Sequence, residues 1–269
     1  METPDALGII AGSGAYPLQV AQSARASGVK RIVATAFTNE TDPAIAQHVD
    51  ATEWLRVGQL GRLLAFLKSA GIRHAMMAGQ IAPKNLFEVR PDVKTLLLLA
   101  RLKRRNAETI FGAIAEELRA VGVELLPATT FLDDAIAQPG LIAGRALSRR
   151  EEADVRYGFE IAKEVSRLDI GQTVVVKDGT VVAVEAFEGT NDAIKRGGAL
   201  ARKGAVLVKV SKPNQDMRFD VPVIGAQTIE IASAAQVRVV AVEATRTLLL
   251  EKDQLIAAAA RHGVSVVGV

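Results

Sequence analysis

Short apolar runs at 7–11, 31–37, 74–78 and 123–126 alternate with helical segments at 16–26, 59–70 and 93–119, the last holding one or two helices. This alternation limits the possible folds more than any other feature. The runs are dominated by Ala, Val, Leu, Ile and Met and lack the polar alternation of a strand with one wet face. Strands buried on both faces read this way, with crossover helices covering a parallel sheet. The segment 59–70 carries Leu60, Leu63, Leu64 and Leu67 at helical spacing, which marks one apolar face. Right-handed strand–helix–strand units then give a Rossmann-like parallel sheet. Composition agrees, because 49% of the residues are hydrophobic but only 4% aromatic, so the core is aliphatic.

At 269 residues the chain is long for one domain. The alternation lapses over 127–147, and we place the boundary near 130–145, with an N-terminal domain at 1–135 and a C-terminal α/β domain at 136–269. The second half opens on a helix at 148–167, where Ser148 and Glu151 have capping-box spacing. A hairpin at 173–184 turns on Asp178-Gly179. Next come a helix at 191–203, a strand at 205–210, a strand-like run at 221–224 and a helix at 227–235. A strand at 237–242, a helix at 252–262 and a strand at 265–267 complete the pattern. A hairpin beside strands linked by helices makes this second sheet mixed.

Several function classes are excluded. The net charge of +3 comes with no basic tail and no aromatic interleaving, so nucleic acid is not the expected partner. The absence of cysteine rules out disulfides and thiolate metal sites and fits a reducing compartment. His48, His74 and His262 are too scattered for metal-ligand spacing. Residues 1–5 are polar and lead straight into a strand, and no apolar run is long enough to span a bilayer. The expectation is a cytoplasmic protein without a signal peptide that touches the inner membrane at most peripherally. Its alanine- and valine-rich surface points to a homodimer. Gly-x-Ser-x-Gly, Walker and histidine-triad patterns are all missing, which argues against acyl-enzyme and ATP-driven chemistry.

Four segments carry candidate chemistry. In the first, Gly12, Ser13 and Gly14 lie between a strand and a helix, where glycine permits close phosphate approach and a helix N-terminus offers N–H groups. Pro17 stands where a dinucleotide fingerprint needs its third glycine, and a tight turn with no ligand explains the residues equally well. Gly79, Gln80 and Lys84 repeat the design after another strand and could meet the first loop above the sheet. A greasy run at 96–100 joins the cations Arg101, Lys103, Arg104 and Arg105, which suits either a lipid or a buried helix with a solvated end.

Further on, Glu185, Glu188, Gly189, Thr190 and Asp192 precede a helix that Thr190 could cap. The charged segment after the 205–210 strand brings together Lys209, Lys212, Asp216, Arg218 and Asp220. Its cations could neutralise phosphate, and its aspartates, with the carboxylates of Glu185, Glu188 and Asp192, could hold Mg²⁺ through oxygen ligands. A solvated loop of mutually paired charges is the bland alternative.

Taken in order, Leu7-Gly-Ile-Ile-Ala-Gly-Ser-Gly-Ala-Tyr-Pro17, Gly79-Gln80 with Lys84, Val184-Glu-Ala-Phe-Glu-Gly-Thr-Asn-Asp192 and Lys212-Pro-Asn-Gln-Asp-Met-Arg-Phe-Asp-Val-Pro-Val-Ile-Gly225 resemble one family over essentially the whole chain. It is the UDP-2,3-diacylglucosamine pyrophosphatase family of lipid A synthesis, of the two-domain type and not the calcineurin-like type. The resemblance implies two domains joined by a hinge, an acylated UDP-sugar substrate, and Mg²⁺-dependent hydrolysis to UMP and 2,3-diacylglucosamine 1-phosphate (lipid X). It also implies an essential C-terminal aspartate, matched first to Asp220 and second to Asp216. On that basis Asp220, Asp216 and Asp192 are the expected metal ligands. Gly12, Ser13, Gly14, Gly79, Gln80, Lys84, Glu188, Gly189, Thr190, Lys209, Lys212 and Arg218 are the expected substrate contacts. An oxidoreductase that binds NAD or another nucleotide, and a non-catalytic lipid carrier, are the alternatives.

Overall fold

The computed structural model describes residues 3–81, 91–104 and 106–269. The chain divides into two compact units, Met1–Leu132 with Asp216–Asp220, and Asp133–Gln215 with Val221–Val269. A five-residue piece of the second half of the sequence therefore belongs to the first unit.

In the first unit, β1 (Ala6–Ala11), β2 (Arg31–Phe37), β3 (Ala51–Leu55), β4 (His74–Ala78) and β5 (Glu124–Leu125) form one all-parallel sheet ordered β3-β2-β1-β4-β5. The strand order reverses between β1 and β4, so the loops that leave these two strands emerge side by side. Helix α1 (Tyr16–Ala26) buries Val20, Ala21 and Ala24. Leu60, Leu63, Leu64 and Leu67 of α2 (Leu60–Ser69) pack with Ile10, Val33, Ala75 and Met77 of the sheet, as their spacing predicts. The 93–119 segment forms two helices, α3 (Val93–Arg101) and α4 (Ala107–Ala120), whose starts are capped by Asp92 and Asn106.

The second unit carries a six-stranded mixed sheet. Its strands are β6 (Gly140–Ala143), β7 (Thr173–Lys177), β8 (Thr180–Val184), β9 (Ala205–Lys209), β11 (Val237–Val242) and β13 (Ser265–Gly268), ordered β6-β13-β11-β9-β7-β8. Strands β9, β11 and β13 are parallel, while β7 and β6 run against them. Asp178 and Gly179, both at positive φ, close the β7–β8 hairpin, as that dipeptide predicts. Val155 and Ala162 of α5 (Arg149–Arg167) cover one face of the sheet. The other face packs α6 (Thr190–Ala201), α7 (Ala226–Ala234) and α8 (Lys252–His262) through Ile194, Ile229, Ala232, Leu255 and Ala258. A separate two-stranded ladder pairs β10 (Val223–Ile224) with β12 (Leu248–Leu249).

The capping box predicted at the start of α5 is present, with Ser148 N–H donating to Glu151 at 2.8 Å and Glu151 N–H to the Ser148 hydroxyl at 3.3 Å. Arg145 also forks onto Glu151, at 2.6 and 2.9 Å. That guanidinium, helped by Ser148, holds the Glu151 carboxyl at about 2, below its ordinary 4.5. A depressed folded-state value means that the ionised carboxylate stabilises the fold fully above pH 4.5, and the contribution fades as pH falls towards 2. Thermal melts should therefore find wild type more stable than Glu151→Gln at neutral pH, with the gap closing below pH 4.5.

Candidate active site

In the first unit the two small-residue loops do meet. Gly12 N–H donates to Ala78 O at 2.7 Å and Ser13 N–H to Gln80 O at 2.7 Å, while Gln80 N–H returns to Ser13 O at 3.3 Å. The Ser13 hydroxyl adds a bond to Gln80 O at 2.9 Å. This miniature bridge gives Gly12 and Gly79 a packing role beside the phosphate approach the sequence suggests. A Cβ on Gly12 would lie 2.6 Å from Gln80 O, and one on Gly79 (φ +89°) would lie 2.5 Å from Ser13 O. Backbone meets backbone here, and only glycine fits. Gly14 differs, since it has φ +87° and open space at its Cβ position. It leads into α1, whose N-cap, Ala15, makes no side-chain cap hydrogen bond. Unpaired first-turn N–H groups favour an anion, although Pro17 contributes none here. Lys84 lies outside the described residues, as does Arg105.

The Asp216–Asp220 segment is fastened to that same helix start through one residue. Ala128 N–H donates to Met217 O at 2.7 Å, and the Tyr16 hydroxyl at the start of α1 donates to Ala128 O. Burial pushes the Tyr16 phenol well above its usual value, so it stays a donor. Phe219 is the hydrophobic anchor, with its ring centroid 5.8 Å from that of Phe111 on α4.

The two aspartates of this segment differ sharply. Asp216 is gripped by Arg218, whose Nε lies 2.9 Å from Oδ1 and Nη2 2.6 Å from Oδ2. The hydrogen-bonded guanidinium holds the Asp216 carboxyl below the usual carboxylate range, and Asp216 in turn raises Arg218. Asp220 is half-buried, and its backbone N–H donates to Asp216 O at 3.0 Å. Its carboxylate makes no hydrogen bond or ion pair among the described residues.

In the second unit a polar cluster sits at the C-terminal end of β9. Lys209 is only 7% exposed, and its ammonium donates to Thr190 Oγ1 at 3.2 Å and Val223 O at 3.1 Å. The Thr190 hydroxyl donates to Glu185 Oε1 at 2.8 Å, while buried Glu185 Oε2 has no hydrogen-bond partner among the described residues. Thr190 is therefore not the cap the sequence suggested. Gly189 is the N-cap of α6, at φ +84°, which frees the Thr190 side chain to join Glu185 and Lys209.

The other predicted charges here are paired. Glu188 binds Arg196, whose guanidinium holds the carboxyl below its usual value. Asp192 binds Lys195 at 2.9 Å, and Lys212 binds Asp169.

One network escaped the sequence. Glu243, just past β11, accepts from Ser211 N–H at 2.7 Å, from the Ser211 hydroxyl at 2.8 Å and from Lys163 at 3.0 Å. Burial pushes the Glu243 carboxyl up, but these donors outweigh it and the net displacement is downward. Its three members come from α5 and from the loops after β9 and β11, so no local spacing signals them.

Among the described residues no group of three or more acidic or histidine side chains gathers as a metal cage. Of the expected ligands, Asp216 and Asp220 belong to the first unit and Asp192 to the second.

A parallel Rossmann-like domain followed by a mixed-sheet α/β domain defines a two-domain α/β protein. Residues 6–135 match the LpxI N-terminal domain and residues 138–267 the LpxI C-terminal domain. The chain is 30% identical over 274 aligned positions to the UDP-2,3-diacylglucosamine pyrophosphatase LpxI of Caulobacter vibrioides, covering 98% of this chain and 97% of that protein. It belongs to the LpxI family.

Two solved structures show only remote likeness. The biotin carboxylase domain of Hydrogenobacter thermophilus 2-oxoglutarate carboxylase is 13% identical at a TM-score of 0.29, covering 67% of this chain and 36% of that one. The biotin carboxylase subunit of pyruvate carboxylase is 12% identical at a TM-score of 0.28, covering 74% and 41%. The chain thus spans well under half of either, and likeness at this level extends to neither fold nor chemistry.

Proposed function

We propose that this protein hydrolyses the pyrophosphate bond of UDP-2,3-diacylglucosamine, adding water across it to release UMP and 2,3-diacylglucosamine 1-phosphate (lipid X). The observation that carries this reading is near end-to-end similarity to a protein named for that activity. The uncommitted Asp220 carboxylate supports it independently, on a segment tied through Ala128 to the start of α1.

Asp220 is the carboxylate we assign to catalysis, ahead of Asp216, because both oxygens of Asp216 are committed to Arg218. Mg²⁺ commonly takes one or two carboxylates and completes its shell with waters and substrate phosphates. Asp220 fits that donor set, as the residue that would hold a metal arriving with the diphosphate. Bound there, Mg²⁺ would offset phosphate charge and polarise a phosphoryl oxygen. The chain's own contribution is positioning. The start of α1 after Gly14 offers N–H groups to an anion, and Arg218 keeps Asp216 out of the reaction while presenting a cation beside it. Lys209, Thr190 and Lys212 are the second unit's candidates for substrate contact. No helix among the described residues is long and apolar enough to cross a membrane. We place the enzyme at the cytoplasmic surface of the inner membrane because its proposed substrate is a diacylated lipid.

Incubation of the purified protein with UDP-2,3-diacylglucosamine, with and without Mg²⁺, followed by mass spectrometry, tests the proposal. UMP and lipid X should accumulate only with the metal. Lipid retained with no UMP released would point to a carrier instead.

A further inference from the structure

Helix α3 is fastened firmly on one side and bare on the other. At its start, Asp92 accepts from Thr95 N–H at 2.8 Å and from Gly61 N–H of α2 at 2.7 Å, while the Thr95 hydroxyl donates to Gly58 O at 2.6 Å. Lys94 bridges to Glu117 of α4 at 2.6 Å. Leu98 is 4% exposed and packs into the core with Leu99. The opposite stripe should be polar on a surface helix, yet it is Val93, Leu96, Leu97 and Ala100. Val93 is 73% exposed, Leu96 52% and Leu97 53%. The spacing of i, i+3, i+4 and i+7 sets them in one continuous row.

At the end of that row stand Arg101, Lys103 and Arg104, all exposed and without an ion pair among the described residues. Single exposed leucines are ordinary on soluble proteins, whereas an apolar row with a cationic end is the pattern of a helix lying in a lipid interface. Charge complementarity selects the occupant. Three uncompensated cations beside an apolar stripe match acidic headgroups above acyl chains.

We propose that the outer stripe of α3 docks this protein onto an anionic phospholipid bilayer. The proposal rests on the function assigned above only in that a diacylated substrate resides in such a bilayer. Val93, Leu96 and Leu97 enter the headgroup–acyl boundary while the cations hold the acidic surface. Each cation strengthens binding by roughly fivefold at low salt.

Flotation of the full chain with vesicles tests this, using phosphatidylcholine alone or mixed with about one third phosphatidylglycerol. Wild type should float with the anionic vesicles, more weakly as salt is raised, and stay down with the neutral ones. Leu96→Gln with Leu97→Gln should weaken partitioning by about tenfold or more. Arg101→Gln, Lys103→Gln and Arg104→Gln together should weaken it on the order of a hundredfold. Both variants should keep the wild-type melting temperature and the wild-type rate of UMP release from detergent-dispersed substrate. The proposal fails if the leucine variant floats like wild type, or if wild type ignores anionic vesicles. It fails too if the leucine changes dissociate an oligomer and leave vesicle binding untouched, since the stripe is then a self-contact. Vesicle binding without UMP release would uphold the docking surface and sink the assigned reaction.

Discussion

Asp220→Asn should reduce UMP release by roughly a thousandfold or more while shifting the melting temperature by no more than about 2 °C. Asn has nearly the same shape as Asp, and the Asp220 carboxylate has no partner among the described residues, so folding loses little. Chemistry loses a negative charge that nothing else on the segment replaces, because Asp216 is held by Arg218. The companion change, Asp216→Asn, should do the reverse. It breaks a two-point grip on Arg218 and lowers stability by about 1–2 kcal/mol, with a smaller effect on turnover. Calorimetry and initial rates on both variants separate the roles. A wild-type rate in Asp220→Asn would remove this residue from the mechanism.

The second large effect is on stability. Gly79→Ala should cost about 3–5 kcal/mol or prevent folding at 37 °C. Two penalties combine in it. At φ +89° an alanine is strained, which costs on the order of 1 kcal/mol. Its methyl would then press on Ser13 O at 2.5 Å and on the Gly12 carbonyl carbon at 2.8 Å, both backbone atoms that cannot swing aside. To make room, the loops after β1 and β4 must part, which breaks the pairing of Ser13 with Gln80. Gly14→Ala is the matched control, since it shares the positive φ but has open space. Urea denaturation should show the control losing only the strain penalty. Equal losses in the two variants would mean that crowding between the loops is not what requires glycine at 79.

The two positions also mark how far the sequence can be read. A strand, a Gly-Ser-Gly turn and a helix are legible at 7–26, and so is the likeness of the second loop at 79–80. The reason for Gly12 and Gly79 is not, because it depends on which strands are neighbours. The same limit hid β3 and β6. Ala51–Leu55 and Gly140–Ala143 are edge strands with little burial, so neither shows the apolar run that reveals β1 or β9. The 127–147 stretch therefore reads as connector, although part of it pairs antiparallel with β13.

Side-chain partners follow a similar divide. The Ser148–Glu151 box is three residues apart and was readable, whereas Lys163, Ser211 and Glu243 converge from distant positions. Thr190 beside a helix start looks like a cap until Lys209 and Glu185 are seen to claim its hydroxyl. The charged segment after β9 is legible as a candidate site. That Asp216 is paired while Asp220 is not was beyond reach, because the sequence cannot say which carboxylate Arg218 chooses.

The membership of Asp216–Asp220 in the first unit has a consequence for evolution and for dissection of the molecule. A cut between the two halves of the sequence would strip Phe219 from its place against Phe111 and leave Ala128 N–H without Met217. Neither fragment would be self-sufficient: one would expose a greasy socket, the other would carry a dangling plug. A half moved alone into another protein would lose this contact, so the halves are expected to be inherited together.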